Sequence, residues 1–322
     1  MNGKNICKSL NAKLNRWLDS IDDENIKALI KKNAIVTGGA IVSLLIGEEP
    51  NDYDIYFKTY NSCLEVAKYY AQKWNDSHEK KVEIIGDTEF MDEIGYSMYM
   101  SGSGMPDTDH ESENRFKRIS AFIRSDGTVS EDEKDENIAA ESINPIDNGG
   151  EPVQAVEDTE SEKPKYRPKY FSSNAISLSD KIQIVIRFYG AVEEIHENYD
   201  FVHCTCSYDF ESNKLNLPPR ALEAIINKEL YYTGSRYPLC SIIRARKFIE
   251  RGWHINAGQY LKMCLQLNEL DLHDFKTFKD QLTGVDSAYF ETAIDSIRAM
   301  QKEDSSFKPD NTYLFEVINR IF

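Results

Sequence analysis

The sequence has no run of roughly 18 apolar residues that could form a membrane-spanning helix, and no apolar stretch follows its polar first eight residues. On both counts neither a helical anchor nor a secretory leader is expected, and a soluble, cytoplasmic protein is. Cysteine is scarce: Cys7, Cys63, Cys204, Cys206, Cys240 and Cys264 lie scattered, mostly within apolar segments. That spacing gives no disulfide framework and suits a reducing compartment. Positive charge is short as well, with 38 Lys and Arg against 54 Asp and Glu and a formal net charge of −16. Such a balance opposes a broad nucleic-acid surface, because phosphate contacts need cations.

The deficit is local. Residues 101–162 hold 17 acidic against 5 basic side chains, a net of −12, whereas residues 163–262 hold 15 basic against 10 acidic, a net of +5. With 322 residues and 41% apolar content the chain can bury cores for roughly two domains. Residues 130–162 are rich in Asp, Glu, Ser, Asn, Gly and Pro without periodicity. They read as a disordered acidic insertion, suited to a basic protein partner.

Apolar residues at helical spacing in 10–18 and 26–29 predict two helices, with the polar stretch Ser20, Asp22, Asp23 as a cap between them. Residues 34–36 then form a short apolar run ending at Gly38-Gly39, residues 40–46 read as a helix stopped by Gly47, and residues 52–57 alternate as a strand. Further on, 60–74 reads as helix, 81–86 and 116–124 as strands, 175–178 and 182–188 as a hairpin pair, 192–197 as a short helix and 199–204 as a strand. From Pro218 the pattern is helical. The expected fold is α+β: N-terminal helices (1–33), a mixed-sheet core with flanking helices (34–210) interrupted by the insertion (about 101–165), and a helical C-terminal domain (211–322).

The chemistry concentrates around Gly38, Gly39, Asp52 and Asp54. Residues two apart in a strand share a face, so Asp52 and Asp54 present their oxygens together while Tyr53 and Ile55 turn to the core. Two hard carboxylates aimed at one point suit Mg²⁺ or Mn²⁺ in a two-metal phosphoryl transfer. The Gly38-Gly39 turn lets the backbone approach a triphosphate at the N-terminus of the following helix. An acidic pair or a glycine pair alone is a weak signal, and a solvated strand face explains the first as readily. The order strand, Gly-Gly, helix, acidic-x-acidic strand is the stronger one.

That order resembles the DNA polymerase beta superfamily of nucleotidyltransferases. Further segments are similar to the class II tRNA nucleotidyltransferase and bacterial poly(A) polymerase family. Thr37-Gly38-Gly39 through Gly47 to Asp52-Tyr53-Asp54-Ile55 resembles the family's first motif, Phe171-Ser172-Ser173-Asn174-Ala175 its Phe-Thr-x-Asn-Ala segment, and Pro238-Leu239 through Arg244-Ala245-Arg246 to Trp253 its arginine-bearing helix. Three departures stand beside these. Ile41-Val42-Ser43 replaces the family's Val-Arg-Asp, Pro168-Lys169-Tyr170 replaces its Arg-Arg-Asp, and no Glu-Asp-x-x-Arg follows in the C-terminal helices. Accurate CCA addition is therefore not expected.

The resemblance implies a nucleotidyltransferase that moves an NMP from an NTP to a polynucleotide 3′ end, RNA for preference. Asp52 and Asp54 would hold the metal, and Gly38, Gly39, Asn174, Arg244 and Lys247 the nucleotide. It also implies a third carboxylate on a later strand. Asp200, inside the apolar Tyr199-Asp200-Phe201, is the candidate for both catalysis and metal binding, with an acid lying just outside a strand end as the plain alternative; Glu83 and Asp209 are lesser choices. Nucleotidylation of a protein or small molecule, or a non-catalytic interaction role on the same fold, are the competing functions. His203, Cys204 and Cys206 lack the spacing of a zinc site and read as core, as do Trp253 and Tyr260. The basic and aromatic residues 163–170 suit either a nucleic-acid strand or an ordinary linker.

Overall fold

The computed structural model describes residues 2–79, 81–87, 118–124, 165–172 and 174–274, with 277, 278, 281, 300, 312 and 316. Most of the acidic insertion lies outside these residues. The chain forms two compact units, Met1–His196 with Cys206–Asn216, and Glu197–Thr205 with Leu217–Phe322.

In the first unit, α1 (Gly3–Asp19) starts where the Asn2 side chain accepts from Asn5 N–H, and it buries Ile6, Leu10, Leu14 and Trp17 along one stripe. Asp23 caps α2 (Glu24–Asn33) by accepting from the N–H groups of Asn25 and Ile26. The two expected helices are thus present, each set by a short polar side chain. Then follow β1 (Ala34–Thr37), α3 (Gly39–Ile46), β2 (Tyr53–Phe57) and α4 (Tyr60–Ser77). Among the described residues, strands β3 (Lys81–Asp87) and β4 (Arg118–Arg124) pair only with each other.

The main sheet has seven strands in the order β5-β6-β7-β2-β1-β8-β9, using β5 (Pro168–Phe171), β6 (Ala175–Leu178), β7 (Ile182–Tyr189), β8 (Ser207–Asp209) and β9 (Lys214–Asn216). Pair β2–β7 is parallel and the others antiparallel, so the sheet is mixed and the fold is α+β. The hairpin joining β6 and β7 turns through the three residues Ser179, Asp180 (φ 60°) and Lys181 (φ 62°), the last two left-handed. The β8–β9 hairpin has no counterpart in the sequence reading, because three-residue strands are too short to show a period.

Register assigns the two faces of this sheet. Val36, Ile55, Ile184, Ile176 and Phe171 fall in one line across five strands, all buried. Helices cover this face: Asn11 of α1 donates to the Tyr208 hydroxyl at 3.2 Å, Trp74 of α4 meets Phe171 edge-on, and Lys31 of α2 lies over the Phe210 ring. Strand β7 shows the division along its length, with Ile182, Ile184 and Ile186 buried and Gln183, Val185 and Arg187 half-buried. The opposite face holds the polar residues, and α5 (Val192–His196) brings a histidine to it.

The second unit contains α6 (Pro219–Asn227), α7 (Pro238–Glu250) and α8 (Ala257–Leu267). The expected strand at 199–204 is corrected here: Val202–Cys204 is a 3-10 turn, and only Phe201 makes an isolated bridge, to Tyr232. The alternation of Tyr199, Phe201 and His203 imitated a strand. Locally, however, the Thr205 N–H and hydroxyl both donate to Val202 O, at 3.1 and 2.8 Å, and this competition curls the chain. Phe201 and His203 still reach one aromatic cluster, with His203 at 4.5 Å from the Phe248 ring centre and 4.3 Å from that of Trp253. His203 and Trp253 are core residues, as expected, whereas Tyr260, also read as core, is exposed.

Candidate functional site

Strand β1 ends at Thr37, Gly38 turns the chain with φ 86° and ψ −147°, and α3 begins at Gly39. Only glycine takes that backbone readily. As the residue before the helix, Gly38 has no side chain to cap it, so it offers the first-turn N–H groups no acceptor of its own. The N-terminal end of α3 therefore has the donors and dipole that favour an anion. At its other end Gly47, also at φ 86°, closes the helix with its N–H on Ser43 O.

Val36 pairs with Ile55 across β1 and β2. The next step of this antiparallel register sets Thr37 beside Asp54, at the strand end from which the Gly38-Gly39 turn leaves. Asp54 lies in β2 and is half-buried; Asp52 is exposed and directly precedes the strand. The expected strand thus begins one residue later, at Tyr53, whose N–H donates to Lys181 O at 2.8 Å. The same lysine holds the loop bearing Asp52, with its Nζ 2.5 Å from Glu49 Oε1 and 3.1 Å from Pro50 O. Gly38, Gly39, Asp52 and Asp54 are brought to one end of the sheet.

The line through Asp54 is polar across the strands. Thr37 pairs with Ser207 on one side, Asp54 with Gln183 on the other, Gln183 with Ser177, and Ser177 with Tyr170. Sequence reasoning missed Gln183 and Ser177. The alternation within 182–187 marked a half-exposed face, but only strand order could put that face next to Asp54.

His196 was missed too. Its Nε2 lies 2.8 Å from Thr37 Oγ1, and that hydroxyl donates to Cys206 O at 2.8 Å. Burial lowers the His196 pKa to about 4, with Glu193 opposing the shift. The ring is therefore neutral near pH 7 and holds Thr37 in place.

The candidate Asn174 follows β5, where Ser172 Oγ accepts from the N–H groups of Asn174 and Ala175. Its Oδ1 accepts from Arg187 Nη1 at 3.0 Å, so it fixes a guanidinium on the polar face of β7. Asp209, a lesser candidate, is held by Lys58 at 2.6 Å and by two donors of Ser212 at 2.8 Å each. Burial raises its pKa, but these contacts outweigh it and hold the carboxyl below its ordinary value. Glu83 sits on β3, in the separate two-stranded sheet.

Asp200 and Arg244 were nominated from separate motifs and meet within the second unit. Arg244 Nη1 donates to Asp200 Oδ2 at 2.5 Å, and Asp200 is 3% exposed. Lys247 lies on the same helix, half-buried. Among the described residues no three His, Cys, Asp or Glu side chains form a group that could hold a metal. The first unit thus contributes the pair Asp52 and Asp54.

Residues 8–228 match the family described as Gabija anti-defense 2 family protein. The chain belongs to that family. The match covers both carboxylates, the Gly-Gly turn and the whole seven-stranded sheet, and leaves Arg244 and Lys247 outside. A relative named Gabija anti-defense 2, from Bacillus phage SPbetaL7, is 19% identical over 273 residues, 84% of this chain and 46% of that protein. This Gabija anti-defense 2 family member thus spans less than half the length of that relative.

Among solved structures, the chain is similar to a Thermotoga maritima CCA-adding enzyme complexed with tRNA (13% identity, 88% of this chain and 54% of that one, TM-score 0.36). It is also similar to a CCA-adding enzyme in complex with CTP (13%, 89% and 52%, TM-score 0.38). At those scores the likeness carries no argument of its own, and the functional reading rests on the residues above.

Proposed function

We propose that this Gabija anti-defense 2 family member binds a nucleoside triphosphate with divalent cations at Asp52 and Asp54 and transfers its NMP to an acceptor hydroxyl. The observation that carries this reading is that β1–β2 register brings Asp54, with Asp52 just before the strand, to the end of β1 where the uncapped Gly38-Gly39 turn begins. The donor set fits Mg²⁺: two hard oxygens reachable from solvent suit an ion that keeps several waters and takes its other ligands from substrate phosphates. When bound, the ions neutralise the triphosphate and acidify the attacking hydroxyl. The α3 N–H groups receive phosphate oxygens, and Thr37, fixed by His196 and Cys206 O, steadies the strand end next to Asp54. In the reaction the acceptor oxygen bonds to the α-phosphorus, the bond to the β-phosphate oxygen breaks, pyrophosphate leaves, and the hydroxyl proton passes to solvent.

An RNA 3′ end is the acceptor expected from sequence. Family membership favours a second reading, in which the acceptor is a side-chain hydroxyl of a component of the Gabija defence named in the family description. No helix among the described residues is long and apolar enough to cross a membrane.

The deciding experiment offers each α-labelled NTP with Mg²⁺ or Mn²⁺ to total RNA and to Gabija proteins, for wild type and for the double variant Asp52→Asn/Asp54→Asn. Variant-sensitive labelling of RNA supports the first reading and of protein the second. Absence of variant-sensitive transfer to either, in the presence of metal-dependent NTP binding, leaves sequestration of the nucleotide as the function.

A further inference from the structure

The polar line beyond Asp54 has a composition of its own. Gln183 and Ser177 are half-buried, they neighbour Asp54 in register, and neither side chain has a hydrogen-bond partner among the described residues. An unused amide beside an unused hydroxyl on an ordered sheet is not needed for packing, because Ile182, Ile184 and Ile176 on the other face supply the buried contacts. Both groups donate as well as accept, and neither is charged. They therefore match the hydroxyls of a sugar and the edge of a base better than a phosphate. Tyr170 ends the line with an aromatic ring.

We propose that Gln183 and Ser177 bind the nucleoside half of the NTP, its ribose and base, and thereby set nucleotide preference; this rests on the nucleotide-binding reading given above. Spacing agrees. Strands lie ~4.8 Å apart, so Gln183 stands ~5 Å, Ser177 ~10 Å and Tyr170 ~14 Å from Asp54 along the line. With the triphosphate at the α3 N-terminus and Asp54, a sugar and base laid across β7 and β6 reach these groups in turn, and the ring of Tyr170 lies where a base could stack.

The test compares binding of Mg–ATP, Mg–CTP, Mg–GTP and Mg–UTP with that of Mg–tripolyphosphate, which has no nucleoside. Titration calorimetry is run on the full chain for wild type, Gln183→Leu, Ser177→Ala and Asp54→Asn. The loss of one or two neutral hydrogen bonds should weaken the preferred NTP by about tenfold and leave tripolyphosphate unchanged in both Gln183→Leu and Ser177→Ala. Retained tripolyphosphate binding also reports that each variant is folded. Unchanged NTP binding in both variants, or equal weakening of NTP and tripolyphosphate, overturns the assignment. If Asp54→Asn alone weakens both ligands, the nucleotide site stands and only this assignment falls. If the wild type binds neither ligand, both fall.

Discussion

Arg244 and Asp200 form a 2.5 Å ion pair in which the Asp200 side chain is nearly fully buried and the Arg244 side chain is 38% exposed. Each looked in sequence like a ligand for something else, Asp200 for a metal and Arg244 for a triphosphate. In the fold each is the other's partner. Arg244→Met would leave a buried carboxylate with its charge uncompensated, a loss of about 1–3 kcal/mol. Chemical denaturation of Arg244→Met should show that loss, and the double variant with Asp200→Asn should recover part of it. A variant as stable as wild type would free Arg244 for a ligand.

Gly38 and Gly39 should respond in opposite ways to one added methyl group. At Gly38 a φ of 86° forces alanine into strain of about 1–3 kcal/mol. A Cβ on Gly39 meets no atom within 4 Å, and helix propensity favours alanine there. Thermal melts of Gly38→Ala and Gly39→Ala should therefore separate, with only the first shifted down. If NTP binding falls in Gly39→Ala while stability holds, the ligand needs the space that the missing methyl leaves.

Asp52→Asn and Asp54→Asn should each reduce metal-dependent transfer on the order of 100-fold or more, since several kcal/mol of charge stabilisation depend on the ions they hold. Stability should change little at Asp52, which is exposed and outside the strand. Chelation of the divalent ion should reproduce the double variant.

Acid should destabilise the protein through two histidines. Burial lowers His203 to about 3 and His196 to about 4, against an ordinary value of 6.5. Between 6.5 and about 4 the unfolded chain binds protons that the folded rings refuse. The stability each contributes is thus present above pH 6.5 and is lost as pH falls through that window, by at most about 1.4 kcal/mol per pH unit per ring. Urea midpoints measured from pH 7.5 to 4.5 should fall more steeply for wild type than for His203→Phe, whose apolar ring fits among Phe201, Phe248 and Trp253.

Much of the first unit was legible. Asp23 lay in the stretch read as a helix cap, Gly38-Gly39 and Gly47 bracketed α3, and alternation in 52–57 and 182–188 marked strands. The stretch 199–204 misled because its period-two pattern came from side chains entering an aromatic cluster, while Thr205 bonded the backbone into a turn. Glu83 looked like a neighbour of the site on strand pattern alone, but β3 pairs with β4 outside the main sheet.

The sequence by itself determined which residues can do chemistry, because side-chain type and spacing are local properties: Asp52 and Asp54 stand two residues apart whatever the fold. The tertiary structure alone decided their company. Parallel pairing of β2 with β7, strands separated by more than a hundred residues, sets Gln183 beside Asp54, and the path of α5 carries His196 onto Thr37. Such neighbours follow from strand order and register, which the burial of Ile55 and Ile184 against the helical layer enforces.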